Sequence, residues 1–128
     1  MRRVIVDTNA LLHFLLNDVP AQRKTVEKLL RQARNKEVLI LVPQIVIFEM
    51  EFTLRKYYLT PKDKIIEKLQ PIVTMNFIEI ENRQPFIMAL GYFAGYNISF
   101  VDCFLLARSR IEGYELFTFD KKILRAGL

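Results

Sequence analysis

The chain has 128 residues, of which 52% are hydrophobic and 26% are charged, with 19 Lys and Arg against 14 Asp and Glu. This length suits a single domain, residues 1–128, with a full core, and the composition excludes a disordered chain. The net charge of +5 and the pI near 9.5 favour polyanionic partners such as nucleic acid, although a soluble protein can be basic without binding one.

A single cysteine and a single histidine restrict the possible chemistry. Cys103 cannot form an internal disulfide, and its apolar neighbours predict a buried core thiol. His13 has no second imidazole for an acid–base pair or a His-rich zinc site. The apolar stretches are too short to span a membrane, and polar residues interrupt the only segment that resembles a signal peptide. We therefore expect a cytoplasmic protein whose chemistry depends on oxygen ligands.

The first third of the chain alternates strand and helix. Residues 4–6 predict a central strand, buried on both faces of a parallel sheet. Asp7 follows it directly and is a good N-cap for a helix over residues 10–16. A helix over residues 21–35 with a basic face and a second buried strand, Val38–Val42, come next. On local grounds alone Asp7 is a capping residue.

Two glutamates lie on the helix predicted for residues 44–58. Glu51 precedes Arg55 by four residues, so a solvated ion pair explains it. Glu49 has Thr53 at that spacing and therefore no such partner. The helix is apolar nearly all round, so periodicity does not decide which glutamate faces inward. The lack of a partner makes Glu49 the better site candidate.

The middle of the chain carries no site candidates. A helix opens near residue 60 and continues to Ile72. Residues 77–80 are predicted to form an outer strand, where Glu79 and Glu81 face water. A further helix over residues 85–94 is predicted to end at Gly95 in the left-handed conformation.

The last third brings two more acids to the ends of elements. Ser99 and Asp102 have the spacing of a capping box ahead of a helix that runs to residue 111. Residues 114–119 are predicted as the last strand, and Asp120 follows as a possible N-cap of a short terminal helix. Each acid again has a local structural explanation.

The alternation of elements predicts an α/β fold: three layers, α/β/α, with a mostly parallel twisted sheet of four or five strands flanked by helices. Ligands bind such sheets beyond the carboxyl ends of the strands. Asp7, Glu49, Asp102 and Asp120 are all predicted at that rim, whereas the other ten acids fall in turns, helix faces or edge positions. The coincidence of four acids at one rim is harder to explain by capping than any one of them.

Four neighbouring carboxylates repel one another unless a cation joins them. Oxygen ligands without His or Cys select Mg²⁺ or Mn²⁺ over zinc or copper. Such an ion can activate a water and stabilise the leaving oxygen in attack on a phosphodiester, and a basic surface can hold the polyanion. The pattern therefore favours a metal-dependent nuclease.

The ordered motifs resemble those of the PIN-domain ribonucleases, and among them the VapC toxins of toxin–antitoxin pairs. The likeness runs from end to end and is carried by four segments: Val6-Asp7-Thr8-Asn9, residues 43–49 with Leu54, Ser99-Phe100-Val101-Asp102, and Thr118-Phe119-Asp120. No single segment is specific, but the ordered set is.

The resemblance implies an endoribonuclease that cleaves RNA with Mg²⁺ or Mn²⁺. It also implies that the metal-binding acidic site is formed by Asp7, Glu49, Asp102 and Asp120. It implies supporting hydrogen bonds from Asn9 and Thr118, and it favours Glu49 over Glu51. It also implies a homodimer and a protein antitoxin of a type II pair. The antitoxin would bind helices in the part of the chain around residues 48–58. Cys103 stands where the family more often has a small residue such as Ala, which should affect packing only.

Apolar side chains in and after the third helix have two readings, core packing or a partner surface, and core packing is favoured. They are Phe48, Met50, Phe52, Tyr57 and Tyr58.

Three alternatives compete with the nuclease. A phosphatase of the haloacid dehalogenase type would need a second Asp and a Thr where Asn9 and Leu11 stand. A receiver domain would need paired acids after the first strand, where Asp7 stands alone, and a lysine after the last. A PIN-like RNA-binding module would keep the fold without activity, and the presence of all four acids weakens this alternative.

Overall fold

A three-stranded parallel sheet lies in the first of two units of the chain. The structure is a computed structural model that describes residues 1–127. One unit comprises Met1–Leu59 and Met75–Glu81, and the other comprises Thr60–Thr74 and the residues from Asn82 onward.

The strands of the sheet are all parallel, which confirms the predicted α/β class. They are β1 (Arg2–Ile5), β2 (Val38–Val42) and β3 (Glu79–Ile80), in the order β1-β2-β3. In the β1–β2 pair Arg2 lies opposite Val38, and in the β2–β3 pair Leu41 lies opposite Glu79. β2 is therefore the central strand, and its side chains alternate between fully and partly buried.

Two predictions about the sheet are wrong. Within the first unit β1 pairs only with β2, so it is the first and not the central strand of the described three-stranded sheet. Residues 114–119 form no strand, although their alternating pattern favours one, and Phe117 and Phe119 are largely exposed. A strand needs a paired backbone as well as a suitable pattern, and in the described residues this segment has no ladder. The described sheet has three strands, and not four or five.

Three helices accompany the sheet in the first unit: α1 (Thr8–Leu16), α2 (Pro20–Arg34) and α3 (Gln44–Lys56). α1 contacts both α2 and α3, and α2 contacts β2. The core of this unit includes Ile40 of β2 and the fully buried Ile47, Met50 and Leu54 of α3. Burial of these side chains is the main source of stability for the unit.

The second unit is helical: α4 (Lys62–Val73), α5 (Arg83–Gly95), α6 (Phe100–Glu112) and α7 (Lys121–Gly127). α5 contacts α4 and α6, and α6 contacts α7. Its core contains an aromatic cluster in which the ring centroid of Phe86 lies 4.6 Å from that of Phe104 and 6.0 Å from that of Phe100.

Helix ends in the second unit differ in part from the sequence prediction. Gly95 was expected to end α5 in the left-handed conformation, but it is the last helical residue and the extended Tyr96 follows it as the C-cap. The left-handed glycine is Gly113, with φ of 74°, which ends α6. The predicted core thiol of Cys103 is confirmed, since that residue is fully buried.

Within residues 1–127, none of the helices combines the length and the apolar character that crossing a membrane requires.

Candidate functional site

Asp7 lies at the junction of β1 and α1, where the strand gives way to the helix. Its backbone is extended, and its Oδ1 accepts a hydrogen bond from the Ala10 N–H at 2.9 Å, so the predicted N-cap is confirmed. The residue is exposed, and Oδ2 accepts no hydrogen bond from another described residue. Asp7 can therefore cap the helix with one oxygen and present the other to a ligand.

Glu49 and Glu51 occupy opposite environments on α3. Glu49 is exposed, and its carboxylate has no hydrogen bond or ion pair with any described residue. Glu51 pairs with Arg55 as predicted, at 2.8 Å, but its side chain is only 5% exposed and is not the solvated pair that was expected. The reason is its position on the same face as the buried Ile47 and Leu54. Glu49 is thus the glutamate of α3 that is available to a ligand.

Asp102 lies in the first turn of α6, three residues after the Ser99 N-cap. The Ser99 hydroxyl accepts a hydrogen bond from the Asp102 N–H at 3.1 Å, which forms one half of the predicted capping box. The Asp102 carboxylate does not complete the other half, and it makes no hydrogen bond or ion pair with any described residue, although it is half-buried. The Asp102 carboxylate is therefore available to a ligand.

Asp120 caps α7 in the same way that Asp7 caps α1. Its Oδ1 accepts hydrogen bonds from Lys122 N–H at 2.8 Å and Ile123 N–H at 3.3 Å. Thr118 supports it, because the Thr118 hydroxyl oxygen accepts a hydrogen bond from the Asp120 N–H at 3.0 Å. Asn9, the other predicted supporting residue, is exposed and its side chain makes no hydrogen bond to a described residue.

Each unit contributes two of the four predicted carboxylates: Asp7 and Glu49 belong to the first, and Asp102 and Asp120 to the second. In neither unit do the described residues bring three or more Asp, Glu, His or Cys side chains into a group that could hold a metal ion. The four-carboxylate site therefore stays a prediction. Its donor set fits a hard divalent ion, since every available donor is a carboxylate oxygen.

Four of the other acids form an ion pair with a basic residue close to them in the chain. Asp18 pairs with His13, Glu27 with Arg23, Glu67 with Lys64, and Glu112 with Arg108.

Glu81 has a structural role that the sequence analysis missed. Its Oε1 accepts a hydrogen bond from the Gln44 N–H at 2.9 Å, so this residue after β3 caps the N-terminus of α3. The two residues are 37 positions apart. No local pattern signals such a contact, because it depends on the pairing of β3 with β2.

Some of the apolar side chains in and after α3 pack in the core, and others are exposed as a partner surface would require. Met50 is fully buried, as core packing predicts. Phe52, Tyr57 and Tyr58 are 45%, 76% and 47% exposed, and Leu59 beside them is 80% exposed, so core packing is wrong for these residues. The end of α3 therefore presents an apolar surface, defined here by Phe52, Tyr57, Tyr58 and Leu59.

Comparison with known proteins gives one family match and one similar protein. Residues 4–127 match the model of the PIN domain family. The chain is 25% identical over 125 residues to a protein named VapC ribonuclease from Aquifex aeolicus (strain VF5), an alignment that covers 96% of this chain and 91% of that protein. No solved structure matched the chain. The fold of the matched family is the three-layer α/β/α arrangement predicted from the sequence. With a match that spans nearly all of its length, this chain belongs to the PIN domain family.

Proposed function

We propose that this protein is a divalent-metal-dependent endoribonuclease and the toxin of a type II toxin–antitoxin pair. The observation that carries the proposal is the half-buried carboxylate of Asp102, which has no partner among the described residues and lies at the start of a helix in a chain of the PIN domain family. The similarity to a protein named VapC ribonuclease supports both the reaction and the toxin assignment.

The proposed roles of the acids follow from their local geometry. Asp7, Glu49, Asp102 and Asp120 would hold Mg²⁺ or Mn²⁺ through carboxylate oxygens that no described residue occupies. When bound, such an ion supplies an acidified water and a positive charge near the scissile phosphate. The backbone N–H groups that bind Oδ1 of Asp7 and of Asp120 fix the direction of those carboxylates. Thr118 positions Asp120 through its backbone.

A cleavage assay tests the reaction. Purified protein should cut single-stranded RNA with Mg²⁺ or Mn²⁺ and stop when a chelator is added. Asp7→Asn and Asp102→Asn should abolish cleavage and leave the circular dichroism spectrum and the thermal midpoint close to wild type. Asp63→Asn is the matched control, because Asp63 is an exposed aspartate in the first turn of α4 whose side chain makes no hydrogen bond within residues 1–127. Wild-type cleavage by Asp7→Asn would refute the site.

The alternatives give different results in the same assay. An inactive RNA-binding module would retain RNA and cleave none with any metal. A phosphatase would hydrolyse a small phosphomonoester and leave RNA intact. Either outcome would exclude the endoribonuclease.

The apolar surface at the end of α3 supports the proposed protein partners. Phe52, Tyr57, Tyr58 and Leu59 form a cluster of large exposed apolar side chains, and such clusters mark protein-binding surfaces. We assign it to a homodimer or to the antitoxin, both acting in the cytoplasm with the RNA substrate. Light scattering at micromolar concentration should give the mass of a dimer, and a monomer would count against the dimer. Tyr57→Ser should weaken whichever association uses this surface.

A further inference from the structure

Two exposed phenylalanines come just before Asp120, one of the predicted metal ligands, in the second unit. Phe117 and Phe119 are 83% and 87% exposed, and they lie on either side of Thr118. Their ring centroids are 5.4 Å apart and their planes meet at 76°, so the two rings form an edge-to-face pair. Only one face of one ring is covered in such a pair, and the other ring faces stay open to a ligand.

The neighbours of these rings in the chain have a different environment. Leu116 and Thr118 are half-buried and line a groove with residues of α6 and α7, such as Ser109 and Ile123. Phe117 and Phe119 do not line that groove. An exposed ring loses the free energy that burial of its apolar surface would provide. Packing in the helical core of the second unit therefore does not explain the aromatic pair.

Two lysines follow Asp120 directly. Lys121 and Lys122 are exposed, and neither side chain makes an ion pair with any residue in the described part of the chain. The Lys122 backbone N–H donates a hydrogen bond to Asp120 Oδ1 at 2.8 Å, which holds the first turn of α7 against this carboxylate. Residues 117–122 thus combine open aromatic faces, a carboxylate and two positive charges that have no counterion from residues 1–127.

A single-stranded nucleic acid fits this combination better than an apolar protein segment does. Its unpaired bases stack on aromatic side chains, and its phosphates attract lysines. An apolar protein segment would cover the rings and leave Lys121 and Lys122 without opposite charge. In a double helix the base faces are already stacked on one another, so the rings could not reach them.

We propose that Phe117 and Phe119 form a platform on which unpaired RNA bases stack beside Asp120. A base lies on an open ring face, and Lys121 and Lys122 contact the flanking phosphates. The inference rests on the proposed function, because it narrows the RNA substrate of the same site to one that is unpaired next to the scissile bond. The two phenylalanines bind the substrate and take no part in the proton transfers of the reaction.

Equilibrium binding of a fluorescent single-stranded RNA, with a chelator present to prevent cleavage, tests the platform. Phe119→Leu should raise Kd roughly fivefold to a hundredfold, because a stacked base loses its aromatic partner. The slope of log K against log salt should not change, since no charge is removed. Phe119→Tyr keeps the ring and should keep the wild-type Kd. A tyrosine variant that binds as weakly as the leucine variant would overturn the stacking.

Tyr114→Leu is the control within the same segment. Tyr114 is 70% exposed, and its ring pairs with no other aromatic ring of the described residues. Its Kd for RNA should equal that of the wild type. A loss of affinity as large as that of Phe119→Leu would show that the effect is not specific to the aromatic pair, and would overturn the platform.

An RNA with abasic nucleotides tests the contact from the other side. The wild type should bind this RNA more weakly than the intact strand, whereas the double variant Phe117→Leu/Phe119→Leu should bind the two RNAs with similar Kd. This cycle isolates the interaction between ring and base. If the abasic RNA loses affinity by the same factor for both proteins, the rings do not contact the bases and the platform is wrong.

The remaining outcomes separate the platform from the fold and from the reaction. If the double variant has a lower thermal midpoint but the wild-type Kd per folded molecule, the rings serve the fold and the platform is wrong. Wild-type cleavage without any discrimination against abasic RNA would also reject the platform and leave the nuclease assignment intact. A wild type that never cleaves, but discriminates against abasic RNA through Phe117 and Phe119, would support the platform and refute the reaction.

Discussion

Arg55 donates two hydrogen bonds to the Glu51 carboxylate, from Nε to Oε2 at 2.8 Å and from Nη2 to Oε1 at 3.4 Å. The Glu51 side chain is 5% exposed, whereas that of Arg55 is 48% exposed. Through this hydrogen bond Glu51 raises the pKa of Arg55 above its ordinary value, against the opposing effect of burial. Arg55 therefore pairs with the buried Glu51 carboxylate while its own side chain stays in contact with solvent.

The first prediction concerns the stability of this pair. Arg55→Met should lower the free energy of unfolding by about 1–3 kcal/mol, because the Glu51 carboxylate is left buried without its donor. The double variant Glu51→Met/Arg55→Met should recover most of that loss, since it removes both charges. Denaturant unfolding of wild type, both single variants and the double variant gives the coupling free energy. A double variant whose loss equals the sum of the single losses would show that the pair is not coupled.

The second prediction separates the two glutamates of α3, and it rests on the proposed function. Glu49→Gln should reduce RNA cleavage on the order of a hundredfold and leave the unfolding midpoint unchanged, because Glu49 is exposed and pairs with no residue that the structure describes. Glu51→Gln should lower the midpoint and retain cleavage per folded molecule, because Glu51 is buried against Arg55. The two variants differ by two positions on one helix and make the same chemical change. Reversed effects would transfer the site to Glu51.

The contrast between Glu49 and Glu51 shows which contacts could be predicted from the sequence and which could not. The i,i+4 spacing correctly predicted the ion pair of Glu51 with Arg55, because both partners belong to one helix. It did not predict the burial of Glu51, since burial depends on which face of a nearly all-apolar helix meets the core. The same distinction applies to Glu81, whose contact with Gln44 arises only when β3 pairs with β2.

Capping interactions were the most predictable features of the candidate site. The N-caps at Asp7 and Ser99 were read from residue type and spacing, and both hydrogen bonds are present. Residue type and spacing did not predict that β1 is the first strand of the described sheet, or that residues 114–119 form no strand. Strand neighbours are set by tertiary pairing, and an apolar triplet has the same sequence at an edge as at the centre of a sheet.

The third prediction concerns Thr118, which contacts the backbone of Asp120 and does not contact the substrate in the proposed mechanism. Thr118→Val keeps the shape of the side chain and removes the oxygen that accepts the Asp120 N–H, so cleavage should fall roughly tenfold. Thr118→Ser restores the hydroxyl and should restore the rate. The apparent affinity for Mn²⁺, measured in the absence of RNA, should fall in the valine variant and recover in the serine variant. Equal cleavage and equal Mn²⁺ affinity in all three proteins would exclude a positioning role.

The fourth prediction is a pH dependence of stability at the end of α6. Arg108 donates hydrogen bonds to both oxygens of Glu112, at 2.6 and 2.9 Å, and this lowers the pKa of Glu112 below its ordinary value. A carboxyl group whose pKa is lower in the folded state stabilises the fold above its unfolded pKa. This stabilisation is lost as the pH falls through the folded pKa.

The relevant window therefore lies below about pH 4.3, the ordinary pKa of a glutamate. The difference in unfolding free energy between wild type and Glu112→Gln should be small and constant near neutral pH, since the pair is on the surface, and it should shrink as the solution becomes more acidic. Chemical denaturation at a series of pH values measures this difference. Glu37→Gln is the control, because Glu37 is exposed and its side chain has no described partner, and its difference from wild type should not follow the same curve. If the difference in unfolding free energy between wild type and Glu112→Gln stays constant down to the lowest pH at which the protein folds, the pair with Arg108 does not stabilise the helix.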